Sequence, residues 1–181
     1  YYQYDFNKPV DNNRPGFIYS HNRHNEFNLN LGFLKAAYKT DKVRANLALA
    51  AGTYMNANYA AETGVMKNVY EANAGAKLGK KNLWVDAGIF SSHIGFESAI
   101  SKDCWTLTRS MLADNSPYYE ERAKITYTAN NGKWLLSALA LNGLQRIKRV
   151  DSNSMMSCGT QLQYKPTDKI LLNYSSFVGT D

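Results

Sequence analysis

Period-two alternation of apolar and polar residues is the feature that most limits what this chain can fold into. In residues 43–49 the odd positions are apolar, whereas the even positions include Arg44 and Asn46. Successive side chains of a β-strand point to opposite faces, so this pattern gives one apolar and one polar face. Helical periodicity is hard to find, and we predict a nearly all-β chain. The candidate strands, about nine, cover residues 1–8, 26–39, 43–59, 69–79, 83–97, 120–129, 134–146, 156–165 and 169–178.

The connections between these strands alternate in length. Short polar turns are predicted at residues 40–42, 80–82, 130–133 and 166–168, and longer segments at 9–25, 60–68, 98–119 and 147–155. In a membrane-spanning β-barrel the short turns face the periplasm and the long loops face outside. Soluble up-and-down barrels need no such asymmetry. The pattern therefore predicts an antiparallel up-and-down transmembrane β-barrel, with residues 1–181 as its single domain.

Strand parity predicts which side chains face water inside such a barrel. Four strands agree on an apolar outside and a polar inside, but residues 134–141 are mainly apolar on both faces. Strict alternation through residues 27–35 would put Lys35 on the lipid side, unless a bulge near Gly32 or Leu34 turns it inward or it lies at the rim. The predicted pore-lining residues are Arg44, Asn46, Glu71, Asn73, Lys77, Asp86, Arg122, Lys124, Gln161, Gln163 and Lys165.

Composition narrows the remaining classes. No stretch approaches the roughly 18 apolar residues that a membrane-spanning helix requires. The net charge is +6 and the pI about 9.2, but the Lys and Arg residues are dispersed along the chain and form no basic cluster, so no nucleic acid is expected as a partner. Among the many aromatic residues, Tyr38, Tyr127, Trp134 and Tyr164 lie close to short turns. They predict an aromatic girdle, with ordinary cross-strand packing as the alternative.

Few residues in the sequence suggest a catalytic or metal-binding site. His21 and His24 have a spacing that could bind a metal, but no Cys or acidic pair completes a site. His93 follows Ser91 and Ser92, yet no Gly-x-Ser-x-Gly elbow accompanies it. We therefore expect no catalytic residue, no metal and no cofactor. Two cysteines, Cys104 and Cys158, are equally consistent with free thiols and with a single bridge.

The segment at residues 98–119 is too long for a simple hairpin connection. It could fold into the lumen as a constriction, with Lys102, Asp103 and Arg109 as the charged residues concerned, or it could lie across the mouth without any filtering role. Residues 105–112 are a candidate short helix.

Three runs of sequence resemble a known family. They are residues 14–31 (RPGFIYSHNRHNEFNLNL), residues 86–98 (DAGIFSSHIGFES) and residues 142–147 (NGLQRI). They are similar to the OmpL-like β-barrel porin family, which is common in Bacteroidetes, and the likeness extends over the whole chain. The resemblance implies a cell outer-membrane location and a passive pore, and it brings no catalytic motif to transfer.

The expected function is passive diffusion of small hydrophilic solutes, with a weak preference for anions because basic residues outnumber acidic ones on the predicted inner wall. Outer-membrane lipid and the solutes are the expected partners. An alternative is a structural or interaction subunit that binds other outer-membrane proteins or further copies of itself. Family members look about twice as long, and bacterial single-chain barrels normally have an even strand number. We therefore expect these residues to be an N-terminal portion of a larger barrel.

Overall fold

A single eight-stranded antiparallel sheet dominates the computed structural model, which describes residues 1–151 and 155–179. Each strand pairs with its neighbours in sequence, which confirms the all-β, up-and-down antiparallel prediction. The strands are β1 (Gly32–Lys39), β2 (Val43–Ala51), β3 (Val69–Lys77), β4 (Leu83–Ser91), β5 (Tyr119–Thr128), β6 (Trp134–Leu141), β7 (Ser157–Thr167) and β8 (Ile170–Val178). Within the described residues β1 and β8 do not pair with each other, so the sheet is open there.

Among the described residues, helical structure occurs only in the segment before β1 and in the connections between strands. Two short α-helices are α1 (Thr53–Asn58) and α2 (Met111–Asp114), and three 3₁₀ turns are Val10–Asn12, Gly64–Asn68 and Ser101–Asp103. The helix predicted at residues 105–112 is mostly wrong, because α2 begins only at Met111, where the Ser110 hydroxyl accepts a hydrogen bond from the Ala113 N–H. No described helix has the length and apolar character needed to span a bilayer.

The alternation of short and long connections is confirmed. Residues 40–42, 78–82, 129–133 and 168–169 form the short turns, and the long connections join β2 to β3, β4 to β5 and β6 to β7. The first turn is closed by Thr40, whose hydroxyl accepts a hydrogen bond from the Val43 N–H at 3.0 Å. Short and long connections therefore lie at opposite ends of the sheet.

Two strand predictions fail for local reasons. Residues 1–8 form no strand, since their only ladder contact is an isolated bridge between Tyr2 and Phe27. The strand predicted at 43–59 ends at Ala51, because Gly52 adopts φ 130° where a Cβ would overlap the Asn30 carbonyl, and α1 follows. The described residues thus contain eight strands where about nine were predicted.

The sheet has two chemically different faces. Leu47 and Leu49 of β2 are 51% and 52% exposed on one of them, whereas Ala48 and Ala50, which point the other way, are buried. The face that carries Leu47, Ala74 and Ile125 is called the apolar face below. The opposite one, which carries Arg44, Asp86 and Lys124, is called the polar face.

The strands with ambiguous parity follow the same division. In β6, Leu136 and Ala138 are exposed on the apolar face, and Ser137 and Leu139 are buried on the polar face. Lys35 lies on the polar face opposite Ala48, and Phe33 lies on the same face opposite Ala50. The β1–β2 register is continuous, so Phe33 rather than Lys35 departs from the predicted pattern, and no bulge turns Lys35.

Aromatic side chains border the short turns on the apolar face. Tyr38, Tyr127 and Trp134 are exposed there. Trp134 also stacks on Tyr164 across the β6–β7 pair, with the ring centroids 4.1 Å apart. Exposed rings at the short-turn end and a cross-strand stack among them therefore occur together.

Buried apolar residues gather towards the long connections. Tyr59 stacks on Tyr119 with centroids 4.0 Å apart, and Tyr54, Met55 and Ile147 belong to the same cluster. A smaller cluster of Phe90, Leu139 and Leu141, with Phe177 against it, lies on the polar face. These clusters fix the long connections relative to the strands that carry the charged residues.

Candidate functional site

The polar face is organised around an ion pair that crosses a whole strand. Arg44 of β2 binds Asp86 of β4 at two points, Nε to Oδ1 at 2.6 Å and Nη2 to Oδ2 at 2.5 Å. Between them lies Gly75 of β3, which pairs in register with both residues. A Cβ at Gly75 would overlap Asp86 Oδ1, so the missing side chain is what lets the carboxylate reach Arg44.

Two basic residues of this face rest on aromatic rings. The Arg44 guanidinium lies 4.4 Å from the centre of the Trp84 ring, and Lys124 Nζ lies 4.4 Å from that of Phe90. Lys124 is also the register partner of Asp86. A cavity of about 260 Å³ opens here, lined by charged, amide, Phe and Ser side chains: Arg44, Asn46, Glu71, Asn73, Asp86, Phe90, Ser91 and Lys124.

Acidic and amide groups continue the polar surface on β1, β2 and β3. Lys35 Nζ binds Glu71 Oε2 at 2.5 Å. Asn73 donates to Glu71 Oε1 at 3.2 Å and accepts from Asn46 at 3.1 Å. The structure therefore brings Asn46, Glu71 and Asn73 together with Arg44 and Asp86.

On β7 and β8 the polar face carries a network of uncharged amide and hydroxyl groups. Gln161 and Gln163 of β7 both donate to Asn173 Oδ1 of β8, at 3.1 and 3.0 Å. Asn173 donates in turn to the Ser175 hydroxyl at 3.0 Å. This amide network is remote from the charged group around Asp86, since β5 and β6 separate the two.

Three predicted lining residues stand apart from these networks. Lys77 pairs in register with Trp84 and is half-buried. Arg122 lies opposite Gly88 and is exposed. Lys165 is exposed beside the short turn at residues 129–133, and its N–H donates to Lys133 O. Within residues 1–151 and 155–179, neither these three side chains nor Lys124 form an ion pair, whereas Arg44 and Glu71 do.

The long connection at residues 92–118 folds over this face. It shares a cavity of about 220 Å³ with Lys35, Tyr70 and Glu71, and another of about 390 Å³ with Asn173 and Ser175. Contacts at both sides of the sheet mean that the segment, called the inner loop below, lies across the polar face.

The charged residues of the inner loop have different surroundings. Lys102 and Asp103 belong to the 3₁₀ turn Ser101–Asp103 and are exposed. The Arg109 side chain is buried, with its guanidinium 3.7 Å from the Tyr118 ring centre and Nε 3.5 Å from Asp114 Oδ1. Burial raises the pKa of the Tyr118 hydroxyl, with Arg109 opposing and Asp114 adding to the shift.

His93, which begins the inner loop with Ser92, was not predicted as a site residue. Its Nδ1 lies 2.9 Å from both Glu120 oxygens, and its Nε2 lies 2.8 Å from the Ser176 carbonyl oxygen. Ser92 Oγ donates its hydrogen bond to Glu120 at 3.0 Å and not to the imidazole. With both ring nitrogens engaged, His93 has none left to serve as a general base for a neighbouring hydroxyl.

The other candidate chemical groups are not assembled. His24 Nδ1 accepts from the Asp5 N–H at 2.9 Å, while His21 packs edge-on against Tyr1. Over the described ranges no three or more His, Cys, Asp or Glu residues are grouped as a metal site would require. Cys104 and Cys158 are free thiols, so the bridged alternative is wrong here.

Comparison with known proteins adds one result. The model of the family described as "Putative beta-barrel porin-2, OmpL-like" matches residues 1–181. No curated protein and no solved structure gives a significant match.

Proposed function

Because the chain belongs to the OmpL-like β-barrel porin family, we propose that it forms the wall of an outer-membrane pore through which small hydrophilic solutes diffuse. The observation that carries this proposal is the division of the sheet into two faces. Leu47, Leu172 and Tyr174 are exposed on one of them, as lipid-facing residues would be, and the charged and amide groups lie on the other. A barrel wall meets hydrocarbon outside and water inside, and this division fits both.

We further propose a weak preference for anions. Lys77, Arg122, Lys124 and Lys165 form no ion pair in the described part of the chain, whereas Glu71 and Asp86 are matched by Lys35 and Arg44. The uncompensated charge of the predicted wall is therefore positive. A narrow aqueous channel whose wall is positively charged concentrates anions.

The inner loop would narrow the solute pathway. It lies across the polar face, and its exposed residues Lys102 and Asp103 would meet passing solutes directly. Arg109 would act differently, because its guanidinium is stacked on Tyr118 and helps to hold the loop in shape. Sterics and charge at this constriction would then determine which solutes pass.

The open edges of β1 and β8 have to be paired in lipid, since unsatisfied backbone groups there cost several kcal/mol each. We propose that further strands complete the barrel, and that the described sheet is one part of its wall. Assembly with other outer-membrane proteins, the alternative function, needs the same closed barrel but no open solute pathway.

The test is conductance of the full-length protein in planar bilayers. Stepwise openings, with a reversal potential that favours chloride in a KCl gradient, would support the proposal. Folded, inserted protein without any conductance would contradict it and favour the assembly role. Equal permeability to potassium and chloride would refute the anion preference alone.

A further inference from the structure

One residue of the inner loop makes several hydrogen bonds to the strands of the wall. His93 is 4% and Glu120 0% exposed, and besides the imidazole contacts the His93 N–H donates to Glu120 Oε2 at 3.4 Å. The His93 carbonyl oxygen accepts from Gln161 Nε2 at 2.9 Å and from Ser175 Oγ at 2.7 Å. One loop residue therefore contacts β5, β7 and β8.

The wall is shaped to receive this imidazole. A Cβ placed on Gly159 of β7 would lie 2.6 Å from both Cε1 and Nε2 of His93. Real Cβ atoms essentially never approach that closely, so only glycine at this position leaves room for the ring. Gly159 therefore leaves the space that the His93 imidazole fills.

The strand ladder alone does not direct the loop over the polar face. Ser91 and Tyr119, which flank the inner loop, pair with each other in the β4–β5 ladder, and a connection that starts and ends side by side can also project away from the sheet. Contacts to β7 and β8, which are not neighbours of β4, decide its direction. His93 provides three hydrogen bonds to these strands, and the Gly95 carbonyl oxygen adds a longer one from Gln161 Nε2 at 3.5 Å.

We propose that His93, seated over Gly159 and paired with Glu120, is the positioning residue that holds the inner loop across the lumen and so sets the width of the solute pathway. This inference rests on the proposed pore function for its effect on conductance. The attachment itself can be measured without conductance. Removing one member of a buried charge pair leaves the other unpaired, which is strongly destabilising to that attachment.

The experiment measures loop position and conductance separately in the full-length protein. Spin labels are placed at the exposed positions Lys102 and Thr160 by cysteine substitution, with Cys104→Ser and Cys158→Ser removing the native thiols. The parent should give one narrow distance distribution. His93→Ala and Gly159→Ala should each broaden it and raise single-channel conductance.

Matched variants control for general damage. His24→Ala removes a buried histidine of the N-terminal segment and should leave the distances and the conductance as in the parent. His93→Gln combined with Glu120→Gln replaces the charge pair by two amides and should restore part of the narrow distribution that His93→Ala loses. Heat-modifiable migration in gels verifies that each variant is a folded barrel.

The outcomes separate the two proposals. Unchanged distances in folded His93→Ala and Gly159→Ala would overturn the role of His93. Broadened distances in a protein that conducts nothing would support the attachment by His93 and refute the pore function. Broadened distances with unchanged conductance would refute the control of pathway width.

Discussion

Arg44 and Asp86 lie on strands that are not neighbours, and their side chains nevertheless form a two-point ion pair over the glycine of the strand between them. The pair ties β2, β3 and β4 together on the polar face. Asp86 is only 4% exposed, and the ion pair with Arg44 offsets the cost of burying its carboxylate, while its register partner Lys124 lies on the other side.

Filling the gap at Gly75 should break this pair. Gly75→Ala places a methyl group against Asp86 Oδ1, and we expect the free energy of unfolding to fall by about 1–3 kcal/mol, as for other overpacked sites. Urea unfolding in lipid vesicles, followed by Trp fluorescence, measures the change. Gly16→Ala is the control, because a Cβ there meets nothing within 4 Å. Equal stability of the two variants would contradict the importance of the gap.

The anion preference should depend on lysine charges of the polar face. Lys124→Gln removes one unpaired positive charge beside Asp86 and should lower the chloride-to-potassium permeability ratio, measured from the reversal potential in a KCl gradient. Lys81→Gln, in an exposed short turn, should change the ratio much less. An unaltered ratio in Lys124→Gln would argue against a wall charge effect.

Attachment of the inner loop should weaken at alkaline pH. Burial alone lowers the pKa of His93, but the hydrogen bond and charge of Glu120, together with the Ser176 carbonyl, outweigh it and the repulsion from Lys124, so the pKa is raised above 6.5. A raised folded-state pKa means that the protonated pair stabilises fully below about pH 6.5 and is lost as pH rises through the folded value.

A spin label at Lys102 should therefore become more mobile as the pH rises above about 6.5 and through the raised pKa of His93. The transition should be absent in His93→Gln, whose amide does not titrate. If the label at Lys102 became more mobile on acidification and did not change at alkaline pH, the predicted direction of the pH dependence would be wrong.

The two faces of β2 should respond oppositely to charge. Leu47→Lys puts an ammonium group into hydrocarbon and should cost up to about 2–4 kcal/mol of unfolding free energy, depending on depth. Asn46→Lys, one residue away on the polar face, should cost much less because it meets water. Unfolding in vesicles of defined lipid gives both values. Similar losses in the two variants would speak against a lipid-facing Leu47.

Parity arguments predicted the strands well because their information is local. The polarity of alternate residues in β2 indicates which face of the sheet each side chain lies on. A short turn then determines the register of the next strand. Residues 53–58 show where this fails: α1 is too short to display helical periodicity, and only the positive φ of Gly52 ends β2 before it. The strand predicted at residues 1–8 failed because nothing there pairs beyond one bridge.

The contacts of the polar face lay beyond sequence reasoning for another reason. Asp86 could be assigned to the polar face, but its partner Arg44 is 42 residues away and is reached only over Gly75. His93 resembled an isolated histidine beside two serines, because Glu120 and Ser176 lie 27 and 83 residues away. Such pairings depend on strand register, which no single segment of sequence determines.

Accessibility along β2 in a bilayer tests the central claim most directly. Single spin labels at residues 44 to 49, in a background without Cys104 and Cys158, are exposed to oxygen, which partitions into lipid, and to a water-soluble nickel chelate. We expect oxygen to reach the labels at residues 45, 47 and 49. We expect the chelate, and not oxygen, to reach the labels at residues 44 and 46. The opposite phase, or equal access of the chelate to both sets, would contradict a wall with lipid on one face and water on the other.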